Sequence, residues 1–220
     1  MLAQEVRDRF VLDYKIECQK HGVKEIPLEN NNKYVVALMS SIQQDVVDRL
    51  SLLTSYYDLY YSPVTDFITY GLPDDFGKLI RTEPDLTIKH ISELPTSVQS
   101  GETLNTGDIE AIAIYNNGGG YTAALSPLPT TSDKIRLWYV INTLMYSPNN
   151  GVDYFNGTSF AGELAIPEKY IDLMILGMLG KFFDDVYMKY LSEVQRHRLN
   201  DGTTHKQEIN YNLGGYSQDV

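Results

Sequence analysis

Residues 166–199 read IPEKYIDLMILGMLGKFFDDVYMKYLSEVQRHRL, and how this stretch folds organises the rest of the chain. The spacing predicts one long helix over 167–198. Pro167 stands where a first-turn proline is tolerated and Glu168 suits the positive helix start, while Lys189, Arg196, His197 and Arg198 gather toward the negative end. Tyr170, Leu173, Met174, Gly177, Met178, Phe182, Val186, Met188 and Leu191 recur at helical spacing. Between 173 and 179 the apolar residues wrap almost all the way round, so that half must be buried on several sides. Gly177 and Gly180 each cost about 1 kcal/mol against alanine in a helix interior, which points to another backbone lying close to them.

Two further helices precede it. Residues 3–20 place Val6, Phe10 and Tyr14 on one side, with His21 and Gly22 as the stop. Asn30, Asn31 and Asn32 are capping residues for a helix over 33–53, in which Tyr34, Leu38, Ile42, Val46 and Leu50 are spaced four apart. Its polar face carries Gln43, Gln44, Asp45, Asp48 and Arg49, so the apolar face is expected to pack on the long helix. From 55 to 81 the character changes. Tyr56, Tyr57, Tyr60 and Tyr61 fall within YYDLYY, among 17 tyrosines in the chain. Tyrosine combines apolar area with a hydroxyl that can stay wet, so the cluster reads either as a core edge or as a subunit contact.

Strand signals dominate 108–143. AIAIY (111–115), NNGGG (116–120) and YTAAL (121–125) spell a hairpin, because glycine and asparagine accept the positive φ that tight turns need. A third strand follows Pro127 and Pro129, with Ile135, Leu137, Tyr139 and Ile141 on one face and Arg136 and Trp138 on the other. Beyond Arg198 the helical period stops. Ile209, Tyr211 and Leu213 alternate, so this part of the tail can add as a strand to another surface or remain without a partner. The expected fold class is therefore α+β and mainly helical: a helix bundle with a long carboxyl-terminal helix, a small antiparallel sheet at about 108–143, and an extended tail at 199–220. Residues 1–198 are expected to form a single domain.

Composition narrows the function. A chain of 220 residues with 43% hydrophobic content can build a good-sized core. A net charge of -11 argues against a nucleic-acid binder held by phosphate contacts and against docking on an anionic membrane. The single cysteine, Cys18, has no partner for an intrachain disulfide, and the amino terminus lacks a signal-peptide pattern, as expected of a protein folded in a reducing cytoplasm. No membrane span is expected, since Asp172 and Lys181 interrupt the longest apolar run.

Catalytic patterns are missing. The glycines at 118–120 lack the Lys and Ser or Thr of a phosphate loop and sit between strands. GxSxG, HExxH and CxxC do not occur, and His21, His90, His197 and His205 fall in segments that read as loops or helix ends. The pairs Asp74 with Asp75 and Asp184 with Asp185 read as solvated faces, because adjacent carboxylates on a helix point to different sides. The Asn156, Gly157, Thr158 triplet matches a glycosylation acceptor, a signal without weight in the absence of secretion. The expectation is no enzyme, no metal and no cofactor.

Three elements in order carry a family resemblance. They are Leu72, Pro73, Asp75, Phe76, Leu79 and Ile80 in YGLPDDFGKLIR; Pro127, Pro129, Leu137 and Tyr139 in LSPLPTTSDKIRLWYVI; and Pro167, Tyr170, Leu173, Gly177 and Leu179 in the last helix. Spanning about 33–190, they resemble the head-to-tail adaptor proteins of tailed bacteriophages, also called connector, ring or tail tubular A-like proteins. The 56–61 segment and the inserted 84–108 region depart from the pattern. The resemblance implies a structural virion protein assembled in the bacterial host cytoplasm and placed at the head-tail junction. It implies a homo-oligomeric ring, usually dodecameric, that docks on the portal, continues the channel for double-stranded DNA without binding it specifically, and supports a downstream tail or nozzle protein. Portal docking would fall to the carboxyl-terminal segment, with Arg196, Arg198, Ile209, Tyr211, Leu213 and Tyr216. Tyr56, Tyr57, Tyr60 and Tyr61 would face subunits or tail, and Leu72, Pro73, Asp75, Phe76, Pro167, Gly177 and Gly180 would define the fold. Other expectations are a different joint component such as a stopper or terminator, a small binding module using Tyr121, and a hydrolase using Asp184, Asp185 or His197.

Overall fold

The computed structural model describes residues 1–64, 68–94, 106–148 and 151–201. The chain sorts into two compact units, Met1–Leu52 with Ser147–Val220, and Leu53–Tyr146. The first unit holds α1 (Ala3–His21), α2 (Asn32–Leu50), α3 (Ile171–Leu179) and α4 (Asp184–Asp201). Local chemistry explains the ends of the first two helices. Glu5 turns back to accept from the Leu2 amide at the start of α1, and Gly22 closes it in the left-handed region at φ +62°. The Asn31 side chain caps α2 by accepting from the Tyr34 amide, and Ser51, also left-handed at φ +52°, ends it three residues short of the expected boundary.

The long helix expected over 167–198 is not continuous. Pro167 leads into a single 3-10 turn at Glu168–Tyr170, α3 ends at Leu179, and α4 begins at Asp184. At the break the bonds tighten, with the Lys181 amide donating to Met178 and the Phe182 amide to Leu179. The break lets two adjacent aromatics reach α1: Phe182 lies 4.9 Å from the Tyr14 ring, and Phe183 lies 4.9 Å from His21. Neighbours on an uninterrupted helix would diverge by about 100°. Asp184 and Asp185 then occupy the first turn of α4, where the helix dipole favours carboxylates. Met188, assigned to the apolar stripe by its spacing, is exposed.

Both helix glycines sit where packing leaves no room. A Cβ on Gly177 would lie 2.8 Å from Ile42 of α2 and 3.1 Å from the Tyr190 ring of α4. A Cβ on Gly180 would lie 2.9 Å from the Tyr187 Cα. Close backbone approach is therefore seen at Gly180, whereas side chains crowd Gly177.

The second unit overturns the mainly helical class. The protein is a mixed α+β chain, and its described strands are β1 (Thr54–Tyr61), β2 (Tyr70–Gly71), β3 (Phe76–Glu83), β4 (Thr87–Ile88), β5 (Thr106–Gly107), β6 (Ala111–Asn116), β7 (Tyr121–Ser126), β8 (Leu128–Pro129) and β9 (Asp133–Ile141). They form three sheets with orders β1-β9-β3, β2-β7-β6-β4 and β5-β8. The β6-β7 hairpin is the one its turn residues spell, closed by the Asn117 amide donating to Gly120. Strand structure nevertheless begins at Thr54, far before 108, and the β4-β6 and β5-β8 pairings are parallel. The third predicted strand, β9, pairs with β1 and β3 rather than with the hairpin. Leu59, Ile135 and Leu137 from the first sheet meet Ile112, Ala123 and Leu125 from the second in one buried cluster.

Candidate interaction surface

The Leu72, Pro73, Asp75, Phe76 element is a plug on the end of β9. The Phe76 amide donates to the Pro73 carbonyl, and the Asn142 amide donates to the Asp75 carbonyl. The Asp75 carboxylate accepts from the Tyr139 hydroxyl at 2.9 Å, and Phe76 is fully buried, stacked on Tyr139 at 4.9 Å. Burial, with Asp75 nearby, holds the Tyr139 phenol well above the ordinary tyrosine range. Leu72 packs against the same ring cluster. Beside the plug, Gly77 allows the β3 backbone to approach β9, since a Cβ there would lie 2.6 Å from the Val140 carbonyl oxygen.

Strand alternation divides the four tyrosines of β1. Tyr57 and Tyr61 turn toward the buried cluster of Leu59, Ile135 and Leu137. Tyr56 and Tyr60 turn to the opposite face, where β1 and β9 oppose Tyr56 to Trp138, Asp58 to Arg136 and Tyr60 to Lys134. Arg81 of β3 lies opposite Trp138 on the other side. The result is a run of alternating aromatic and charged groups. The Arg81 guanidinium lies over Trp138 at 5.1 Å, Trp138 sits 5.4 Å from Tyr56, and the Arg136 guanidinium covers Tyr56 at 4.4 Å. Asp58 accepts from Arg136 through both oxygens, at 2.7 and 3.0 Å, and from Lys134 at 2.8 Å. Lys134 in turn lies 5.9 Å from the Tyr60 ring, which is 70% exposed.

This network has a clear electrostatic centre. Hydrogen bonding from Arg136, supplemented by Lys134 and opposed by partial burial, lowers the Asp58 carboxyl from its ordinary 3.8 to about 2. The same pairing raises Lys134 and Arg136. The Trp138 Nε1 is buried without a hydrogen-bond partner among the described residues. Asp58, Arg81, Lys134 and Trp138 did not stand out as site residues in the sequence. The available signal was the alternation of Lys134, Arg136 and Trp138 with Ile135, Leu137 and Tyr139.

The remaining expected residues lie elsewhere. Arg196 pairs with Glu193 on α4, and Arg198 is exposed in its last turn. Ile209, Tyr211, Leu213 and Tyr216 lie outside the described residues. Asp184 and Asp185 open α4 while His197 lies near its other end, packed on Tyr170 at 5.4 Å. Thirteen residues of helix separate them by roughly 20 Å, so they do not form one constellation. His21 is the group near Asp185, at 3.4 Å. Tyr121 packs on Phe76 at 5.4 Å. Among the described residues no group of three or more His, Cys, Asp or Glu could hold a metal, and no helix is long and apolar enough to cross a membrane. No family model matches the chain, and no curated protein matches it either.

Proposed function

We propose that the protein is a structural subunit of an oligomeric ring at the head-tail joint of a tailed bacteriophage. In that role it docks on the portal, extends the DNA channel and offers a platform to the tail. The observation that carries this reading is the ordered set of the LPxDFxxLI element, the proline-punctuated strand and the Pro-initiated helix with Gly177. Two features support it. The outer face of the β1-β9-β3 sheet is a pre-organised aromatic and charged surface of the kind that binds another protein with little loss of side-chain entropy. The net charge of -11 suits a channel whose wall lets phosphate slide, because neutralising contacts would retain the genome.

In this reading Arg196, Arg198 and the segment beyond them engage the portal, and the outer sheet face meets another subunit or the tail. Electron microscopy and mass photometry of the purified protein with portal, and of each alone, test it. A ring of many copies seated on the portal is the expected result. Free monomers beside an intact portal would overturn the assignment.

A further inference from the structure

The two edges of the three-stranded sheet are unlike each other. Edge strands present unpaired backbone groups that natural proteins usually blunt with bulges, proline or lysine. The β3 edge is blunted, since its register shifts between Phe76 and Lys78 and again between Leu79 and Arg81. β1 is not. It runs eight residues in unbroken register with β9, its sequence, TSYYDLYY, holds neither proline nor lysine, and its one charge, Asp58, is already paired with Arg136 and Lys134.

The side of β1 left open follows from one bond. The Ile141 amide donates to the Leu53 carbonyl at 2.9 Å, which makes 53 and 141 a directly bonded pair. Bonded pairs alternate in an antiparallel ladder, so Ser55, Tyr57, Leu59 and Tyr61 are turned to β9. Thr54, Tyr56, Asp58 and Tyr60 turn their N–H and C=O groups outward, and among the described residues β1 pairs with β9 alone. A strand added there would meet two different faces. Residues on one side would lie beside Tyr57, Leu59 and Tyr61, continuing the cover over the buried cluster. Residues on the other would lie beside Tyr56, Asp58 and Tyr60. The site calls for apolar groups at every second position, with polar groups between.

We infer that β1 accepts residues 208–213, EINYNL, from the tail of a second copy of this chain, added as an edge strand. The match is in spacing and chemistry: Ile209, Tyr211 and Leu213 would continue the Tyr57, Leu59, Tyr61 side, and Glu208, Asn210 and Asn212 the Tyr56, Asp58, Tyr60 side. The segment follows α4, which ends at Asp201, by six intervening residues, 202–207. The second-copy assignment rests on the ring reading above, because a strand donated from one copy to the next is a heterologous contact, the kind that builds a ring when the rotation between copies closes. This takes Ile209, Tyr211 and Leu213 out of the portal contact proposed above and leaves Arg196, Arg198, Tyr216 and the residues after it to the portal.

Amide exchange at single-residue resolution tests this, comparing the full chain with one ending at Asp201, each at concentrations where mass photometry gives its copy number. In the oligomeric full chain Tyr56, Asp58 and Tyr60 are expected to be protected, and to exchange at least roughly tenfold faster after truncation. Tyr57, Leu59 and Tyr61, bonded to β9, should stay protected in both. Equal exchange of the outward amides in the two chains would overturn the inference. Tail-dependent protection in a chain that weighs as a monomer would do the same, by assigning the strand to the chain's own tail. Tyr60→Pro removes one outward donor and leaves the β9 ladder whole, so it should reduce copy number without changing Trp138 fluorescence; an unchanged copy number would count against the inference. A ring on the portal with the outward amides exchanging freely would discard the strand contact and leave the adaptor reading standing.

Discussion

Replacing Asp58 with Asn tests whether one carboxylate organises the outer face of the β1-β9-β3 sheet. In the folded protein Asp58 is 17% exposed and bound by Arg136 through both oxygens and by Lys134 through one. Lowering its pKa from 3.8 to about 2 corresponds to roughly 2.5 kcal/mol in favour of the ionised fold. Lys134 is 45% and Arg136 34% exposed, so solvent screening brings the expected loss in Asp58→Asn to about 1–2 kcal/mol at pH 7. Because the folded-state pKa is the lower one, this contribution is complete above the unfolded value near pH 4. It is lost as the pH falls toward 2, with about half gone by pH 3. Trp138 is the single tryptophan and lies on the same face, so its fluorescence follows unfolding of this unit in urea. The gap between native and Asp58→Asn proteins should narrow from pH 7 to pH 3. A gap below about 0.3 kcal/mol at pH 7, or one that does not change with pH, would refute the reasoning.

Other substitutions probe the packing. Gly77→Ala would set a Cβ 2.6 Å from the Val140 oxygen, with backbone on both sides unable to yield. A loss of roughly 1–3 kcal/mol is expected, and an unchanged urea midpoint by Trp138 fluorescence would contradict it. Gly177→Leu gains about 1 kcal/mol of helix propensity but drives a side chain into Ile42 and Tyr190. A net loss of roughly 1–3 kcal/mol should appear in far-ultraviolet circular dichroism melts, and native-like melting would mean the crossing is looser than described. Tyr190→Phe removes the 2.6 Å bond from the phenol to Asp45, which also pairs with Arg49. Such a bond to a charged group contributes about 1.5–3 kcal/mol, so equal stability of the Phe variant would show that the hydroxyl is not needed.

The sequence by itself determined the elements whose causes are local. Asn31, Gly22 and the Asn117 to Gly120 turn act within a few residues of themselves, so α1, α2 and the β6-β7 hairpin could be read directly from spacing and turn chemistry. The burial of 173–179 was legible for the same reason. Tertiary structure alone decided the rest. The apolar period runs straight through Gly180, and the helix breaks there because Phe182 and Phe183 both gain contacts on α1, a partner far away in the chain. TSYYDLYY carries no helical period, yet its identity as β1 waited on β9. Only that pairing separates Tyr57 and Tyr61, packed against the buried cluster, from Tyr56 and Tyr60 on the opposite face, and brings Asp58 to Arg136 across 78 residues. A strand has no stability until its ladder and its buried face are supplied from elsewhere, whereas a capped helix carries its hydrogen bonds within itself.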